Sequence, residues 1–249
     1  MNAAASGQGT VPGPGGPAGG CGRGLIVAVD GPAGSGKSSA ARGVASVLGL
    51  RYLDTGAMYR ALTWWLLARK ADVTSPAEVA GLAGRPVISV GIDPQAPSVQ
   101  VDGGDVAGAI RGRAVSNAVS AVASVPQVRQ RLIAMQREII SSAVSSGPGI
   151  VAEGRDIGTV VAPQAQVKVF LTASEDVRAA RRAADLAADP AATASLTMQE
   201  IARRDRRDAA QTTMAADAVL IDATSLPLDE VIAQIVGLAR ASRAGARTG

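Results

Sequence analysis

The sequence predicts an α/β domain built on a parallel sheet with helices on both faces. Short, continuous apolar runs recur at residues 25–29, 51–53, 150–152, 167–171 and 218–221, each bounded by turn residues, with helical stretches between them. Such runs are what strands buried on both sides look like, and their alternation with helices is the mark of a parallel sheet. A glycine-rich turn also joins the first run directly to a helix, so the chain opens on a strand, loop, helix unit.

Residues 1–24 are mostly Gly, Pro, Ala, Ser and Thr. This composition cannot bury enough apolar area to offset its ordering entropy, so the segment is set apart as a tail. The strand Leu25–Val29 follows, then the turn, then a helix expected over 38–50. The residues Pro86–Val90 and Ser98–Val101 flank a turn rich in Gly, Asp and Pro, which predicts a small antiparallel hairpin inserted into the α/β core. After the run ending at Leu171, Ser174 is placed to cap a helix whose first turn holds Glu175 and Asp176, signs that suit the helix dipole. That helix carries Arg178, Arg181 and Arg182, and an alanine-rich stretch leads on to Thr197-Met198-Gln199-Glu200, a capping box opening a second arginine-rich helix. Two short helices joined by a soft loop describe a lid.

The 249 residues are 47% apolar and 18% charged, enough for one large domain with inserted subdomains. No apolar run approaches the roughly 20 residues that span a bilayer, and no export signal is present, so a soluble cytoplasmic protein is expected. The single cysteine, Cys21, permits no intrachain disulfide, and the absence of histidine removes the commonest general base. Any chemistry must use carboxylates, Lys, Arg and the backbone. The net charge is only +4 and aromatic residues make up 2%, which argues against a nucleic-acid stacking platform. No apolar helix face demands a partner, so a monomer is the expected state.

The strongest signal is Gly31-Pro32-Ala33-Gly34-Ser35-Gly36-Lys37-Ser38, which matches G-x-x-x-x-G-K-[ST] between a strand and a helix. Its glycines let backbone N–H groups turn toward one point, and the helix N-terminus adds positive potential. Gly31 to Ser39 are therefore the expected ATP-binding residues, with Lys37 spanning the β and γ phosphates and Ser38 ligating Mg²⁺. Lysine is otherwise confined to Lys70 and Lys168, so an ammonium at this position stands out in a chain that writes its cations as Arg. The motif alone is shared by GTPases, ATPases and small-molecule kinases. No Asn-Lys-x-Asp run is present to read guanine, which disfavours a GTPase switch.

Further segments accompany the loop: Asp54-Thr55-Gly56-Ala57-Met58-Tyr59-Arg60, Ile110-Arg111, Ser116-Asn117-Ala118-Val119-Ser120, Val128-Arg129 and Glu153-Gly154-Arg155-Asp156-Ile157-Gly158-Thr159. With the phosphate loop, these resemble the bacterial cytidylate (CMP/dCMP) kinase family from about residue 24 to about residue 240. The resemblance implies a nucleoside monophosphate kinase fold of the P-loop class. It places the domain at 25–242, with a core of 25–54, 127–177 and 212–242, a monophosphate-binding subdomain 55–126 containing the small antiparallel sheet, a lid 178–211 and a C-terminal tail 243–249. It implies phosphoryl transfer from ATP to CMP or dCMP in pyrimidine metabolism. That chemistry needs positioning and charge neutralisation more than proton transfer, so an arginine-rich site without histidine suffices.

By the same resemblance Arg60 and Arg155 hold the acceptor phosphate, Thr55 belongs to the CMP site, and Ser120, Arg129 and Asp156 read cytosine. The donor and acceptor logic agrees: cytosine presents an amino group where uracil presents O4, and a carboxylate and a hydroxyl accept from it while Arg129 donates to N3 and O2. Arg204 and Asp208, four apart on one helix, are implied to bind the ribose, and Glu153 to meet Mg²⁺ through water. Arg178 and Arg181, with Arg182, are implied to close over the transferred group. Relatives usually carry an Arg three residues beyond the Asp208 position and then Ser-Pro-Leu, whereas this chain has Gln211 and a segment a few residues shorter. Gln211 cannot neutralise phosphate, so Arg206 or Arg207 is expected to stand in. Two other readings remain: a P-loop kinase for another acceptor such as UMP, AMP or shikimate, and a nucleotide-binding regulatory protein without catalysis.

Overall fold

The computed structural model describes residues 24–185, 203 and 205–245. A five-stranded, wholly parallel sheet runs in the order β2-β6-β1-β7-β8, with β1 at Leu25–Asp30, β2 at Arg51–Asp54, β6 at Gly149–Gly154, β7 at Val167–Thr172 and β8 at Val219–Asp222. The strands fall within a residue or two of the apolar runs, although in the edge strand β8 only Ile221 is buried while Val219 and Leu220 stay exposed. β1 and β6 are buried at every position, as the central members of a sheet covered on both sides must be.

The alternation of side chains along the strands splits the core in two. Ile26, Ala28, Leu53, Ile150 and Ala152 face one way, onto α2 (Thr55–Ala68) and α5 (Pro126–Ser145). Leu25, Val27, Val29, Val151, Val169 and Ile221 face the other, onto α1 (Lys37–Leu48) and the C-terminal helix α7 (Leu228–Gly245). α1 ends at Leu48 because Gly49 adopts φ 62° and closes the last turn with its N–H.

The inserted hairpin is present and larger than expected. β3 (Ile88–Val90) pairs antiparallel with β4 (Val99–Val101), and β5 (Gly104–Asp105) adds a third short strand through a turn at Asp102 and Gly103. Asp102 anchors this sheet to α2, accepting from the Trp65 indole at 2.8 Å and the Val87 N–H at 2.8 Å. A short helix α3 (Pro76–Leu82), capped by Ser75, leads into β3, and α4 (Arg113–Ala123) leads from the hairpin to α5. The insert shares the core on the α2 side of the sheet. α6 (Glu175–Asp185) follows β7 with Ser174 bonding the Val177 N–H, as its sequence predicts. The capping box at 197–200, the side chain of Arg182 and all of Arg204 lie outside the described residues.

Candidate active site

All strands of the large sheet point the same way, so their C-terminal ends gather Asp30, Gly154 and Asp54 along one edge, where an open parallel sheet presents its ligand crevice. From the end of β1 the chain turns through Gly31–Gly36 into α1. At Gly31 a Cβ would lie 2.1 Å from the Leu171 carbonyl oxygen, and Gly34 adopts φ 75° with room for no side chain against the Arg178 backbone. The loop therefore accepts only glycine at both points. Lys37 opens α1, its Nζ donating to the Pro32 carbonyl at 3.1 Å across the loop.

Two cavities meet at this loop. One, of about 200 Å³, lies between the loop, α2, α4 and the segment after β6, and is lined by Lys37, Ser38, Thr55, Arg60, Ser120, Arg129, Glu153, Arg155, Asp156, Asp208 and Gln211. The other, of about 520 Å³, lies on the outer side of the loop against α7, with Ser35, Ser39, Arg181, Leu226, Pro227 and Val231 in its wall. Gly34, Lys37 and Ser38 border both.

Within the first cavity the groups are held by one another. Arg60 donates to the Ile110 carbonyl at 3.1 Å and to Ser116 Oγ at 2.9 Å, which aims α2 and α4 at the same space. Arg155 donates to the Gly31 carbonyl at 2.7 Å and pairs with Asp208 at 3.0 Å. Arg129 and Asp156 form an ion pair, and the buried Ser120 lines the same cavity. Thr55 donates its hydroxyl to the Glu153 carbonyl at 2.7 Å, tying the start of α2 to the end of β6.

Glu153 is buried, accepts from the Tyr52 hydroxyl at 3.0 Å and also from Ser38. Burial, then the negative charge of Asp54, pushes its carboxyl up to about 7, opposed by Lys37 and its hydrogen bonds. Among the described residues no three carboxylate, His or Cys side chains converge to hold a metal alone. Ser38 and Glu153 suit a Mg²⁺ that brings its own phosphate and water ligands, which is how that ion is usually held.

Two expectations about the arginines at 178–181 and 206–207 meet a different arrangement. Arg206 and Arg207 are exposed and line neither described cavity, while Gln211 itself lines the first. The reason is helical phase: Asp205 and Asp208, three apart, take the inward face and pair with Arg178 and Arg155, which turns the intervening arginines to solvent. Arg178 is buried, bonding the Ala173 and Ala33 carbonyls and Asp205, and lines neither cavity. Arg181 reaches the Ser35 carbonyl at 3.1 Å and the Ala223 carbonyl at 2.9 Å. In this conformation both arginines brace the phosphate loop.

The sequence assigned no role to Asp30, Tyr52 or Arg111. Asp30 directly follows the first apolar run and Tyr52 lies in the second, so both read as strand residues, while Arg111, which lines the first cavity, marked the family resemblance through Ile110-Arg111 without a role of its own. A buried acid ending an apolar strand was the available signal for Asp30; its partners lie 127 and 128 residues away.

The model of the family described as cytidylate kinase matches residues 27–241. A cytidylate kinase of Streptomyces avermitilis is 48% identical over 224 residues, covering 88% of this chain and 94% of the relative. Its counterpart in Streptomyces coelicolor is 49% identical over 225 residues, covering 89% and 95%. That of Pelotomaculum thermopropionicum is 45% identical over 225 residues, covering 87% and 96%. With the phosphate loop and the arginine-lined cleft in their places, the match over nearly the whole described chain means that this protein belongs to the cytidylate kinase family.

Proposed function

We propose that the protein transfers the terminal phosphoryl group of ATP to CMP and dCMP, giving CDP or dCDP and ADP. The observation that carries this reading is the pair of cavities sharing Lys37 and Ser38, one lined by arginines with Ser120 and Asp156, the other largely apolar beyond the loop. A donor in the outer cavity and an acceptor in the inner one would bring their phosphates together at that shared border.

In this reading the backbone of Gly31–Gly36 cradles the donor phosphates, with Ser35 and Ser39 beside them, and Lys37 leaves the Pro32 carbonyl to span the β and γ groups. Mg²⁺, held by Ser38 and through water by Glu153, would neutralise charge on the β and γ oxygens. Arg60 and Arg155 hold the acceptor phosphate through guanidinium forks and offset the repulsion between two anions. An oxygen of that phosphate bonds to the γ phosphorus as the bond from phosphorus to the β–γ bridging oxygen breaks. The electron pair leaves with ADP, and no side chain needs to take a proton. Thr55 keeps the cleft floor in register, and Ser120, Arg129 and Asp156 read cytosine. Arg204 and Asp208 meet the ribose, and Arg178 and Arg181 complete the closed site when the lid 178–211 moves against the core. The acceptor subdomain is 55–126 within a domain of 25–242. All these groups come from one chain, so a monomer suffices. Among the described residues no helix is long and apolar enough to cross a membrane, and with nucleotide substrates the cytoplasm is the compartment that fits.

The test is ADP release from Mg-ATP with CMP, dCMP, UMP, AMP and shikimate offered separately. Turnover favouring CMP and dCMP is expected. Turnover with another acceptor alone, or ATP binding without turnover, overturns the reading.

A further inference from the structure

We propose that Asp30 is a positioning residue, which sets the acceptor half of the cleft against the phosphate loop by gripping the backbone N–H groups of Ile157 and Gly158. The proposal rests on the assignment of Arg155 and Asp156 to the acceptor given above.

Asp30 is the last residue of β1 and only 4% exposed. Its two carboxylate oxygens are used separately: one accepts from the Ile157 N–H at 2.8 Å, the other from the Gly158 N–H at 2.8 Å. These N–H groups open the single π turn at Ile157–Val161, where no earlier carbonyl is in place to receive them. The backbone of Asp30 lies beside Gly154 in the β1–β6 ladder. Only Arg155 and Asp156 separate Gly154 from Ile157, and the ladder supports neither of them. Both ends of this two-residue span are thus fastened to the same residue, one through its main chain and the other through its side chain. The next residue, Gly31, accepts from Arg155 at 2.7 Å and begins the phosphate loop.

Donor-loop geometry and acceptor-side geometry are therefore referred to one point. A carboxylate is the side chain of this length with two acceptor oxygens and no donor. An amide would turn an N–H toward one of the two N–H groups and release an end of the span. The released span would carry Arg155 and Asp156 away from the in-line geometry, where displacements of about an ångström cost heavily.

The experiment uses the full chain and its Asp30→Asn variant. Amide hydrogen exchange at Ile157 and Gly158 is measured without ligand, and binding of CMP, UMP and ATP by calorimetry, with KM and kcat alongside. In the unaltered protein those two amides should exchange slowly. In the variant they should exchange about tenfold faster or more, the CMP KM should rise about tenfold, and the preference for CMP over UMP should narrow, with ATP affinity within about twofold of the original. Fast exchange at both amides in the unaltered protein overturns the proposal without any variant. So does a variant whose CMP affinity and base preference are unchanged, or whose ATP and CMP affinities fall together. If the unaltered protein turns over no CMP, the acceptor assignment fails, while the exchange data still decide whether Asp30 holds the span.

Discussion

Arg155 and Asp208 meet at the cleft, guanidinium to carboxylate at 3.0 Å, joining the end of β6 to the helical residues 205–208. Both side chains are largely buried, at 17% and 10% exposure. The pair keeps a cation ready in the cleft while compensating its charge. Breaking a buried charge pair by removing one partner generally costs about 3–5 kcal/mol, so Asp208→Ala should lose stability up to that scale, discounted for the residual exposure and for the bond Arg155 keeps to the Gly31 carbonyl. Arg155→Ala added to it should lose far less than it does alone. Urea titration of the two single variants and the double variant measures the coupling, and simple additivity would show that the pair contributes nothing.

Lys37 stands where the two cavities join, its Nζ donating to the Pro32 carbonyl at 3.1 Å. Lys37→Ala should fold normally, as judged by its thermal transition, and lose at least about 10²-fold in turnover, the scale for a charge aimed at the transition state. Turnover near the original would end the phosphate-loop mechanism.

Asp156 is paired with Arg129 in the cavity that Ser120 also lines. In the proposed reading Asp156→Ala takes the acceptor from the cytosine amino group, and it takes from Arg129 its ion-pair partner. The CMP KM should rise by about tenfold or more and the margin over UMP should narrow, because a site built to pair a polar group discriminates by leaving partners unpaired. Competition between CMP and UMP checks this, and an unchanged ratio would locate base reading elsewhere.

Burial pushes the Asp30 carboxyl up to about 6 from its ordinary 3.8, against the pull of the Gly158 and Ile157 N–H bonds. Between those values the folded protein binds this proton more strongly than the unfolded chain does. The contribution of Asp30 to stability therefore falls as pH rises from about 4 to about 6, by about 3 kcal/mol in all, and is level above. Asp30→Asn does not titrate, so the stability of the original protein relative to this variant should fall across that window. Urea midpoints of both proteins near pH 4 and near pH 7 give the sign, and a margin that widens with pH would refute it.

Much of this was legible in order along the chain. A buried parallel strand writes itself as an unbroken apolar run, and the loop Gly31–Ser38 writes itself as a motif, because each depends on neighbours in sequence. The inserted hairpin showed its two main strands by the same logic, while β5, two residues long, carried too little pattern to be seen. The cleft residues Arg60, Ser120, Arg129, Arg155 and Asp156 stood out through family resemblance, and the fold does bring them to one cavity.

The sequence by itself therefore determined the five strands of the large parallel sheet, the two main strands of the inserted hairpin, and that a phosphate-binding loop follows the first strand. Only the tertiary structure decided the partners of the charges. Helical phase gave the cleft Asp208 and Gln211 and sent Arg206 and Arg207 to solvent, and the order β2-β6-β1 brought Asp30 to the N–H groups of Ile157 and Gly158. Strand and loop signals depend on a residue's near neighbours in the chain. The partner of a buried charge depends on which chain ends the sheet sets side by side, and that is settled only when the whole core is packed.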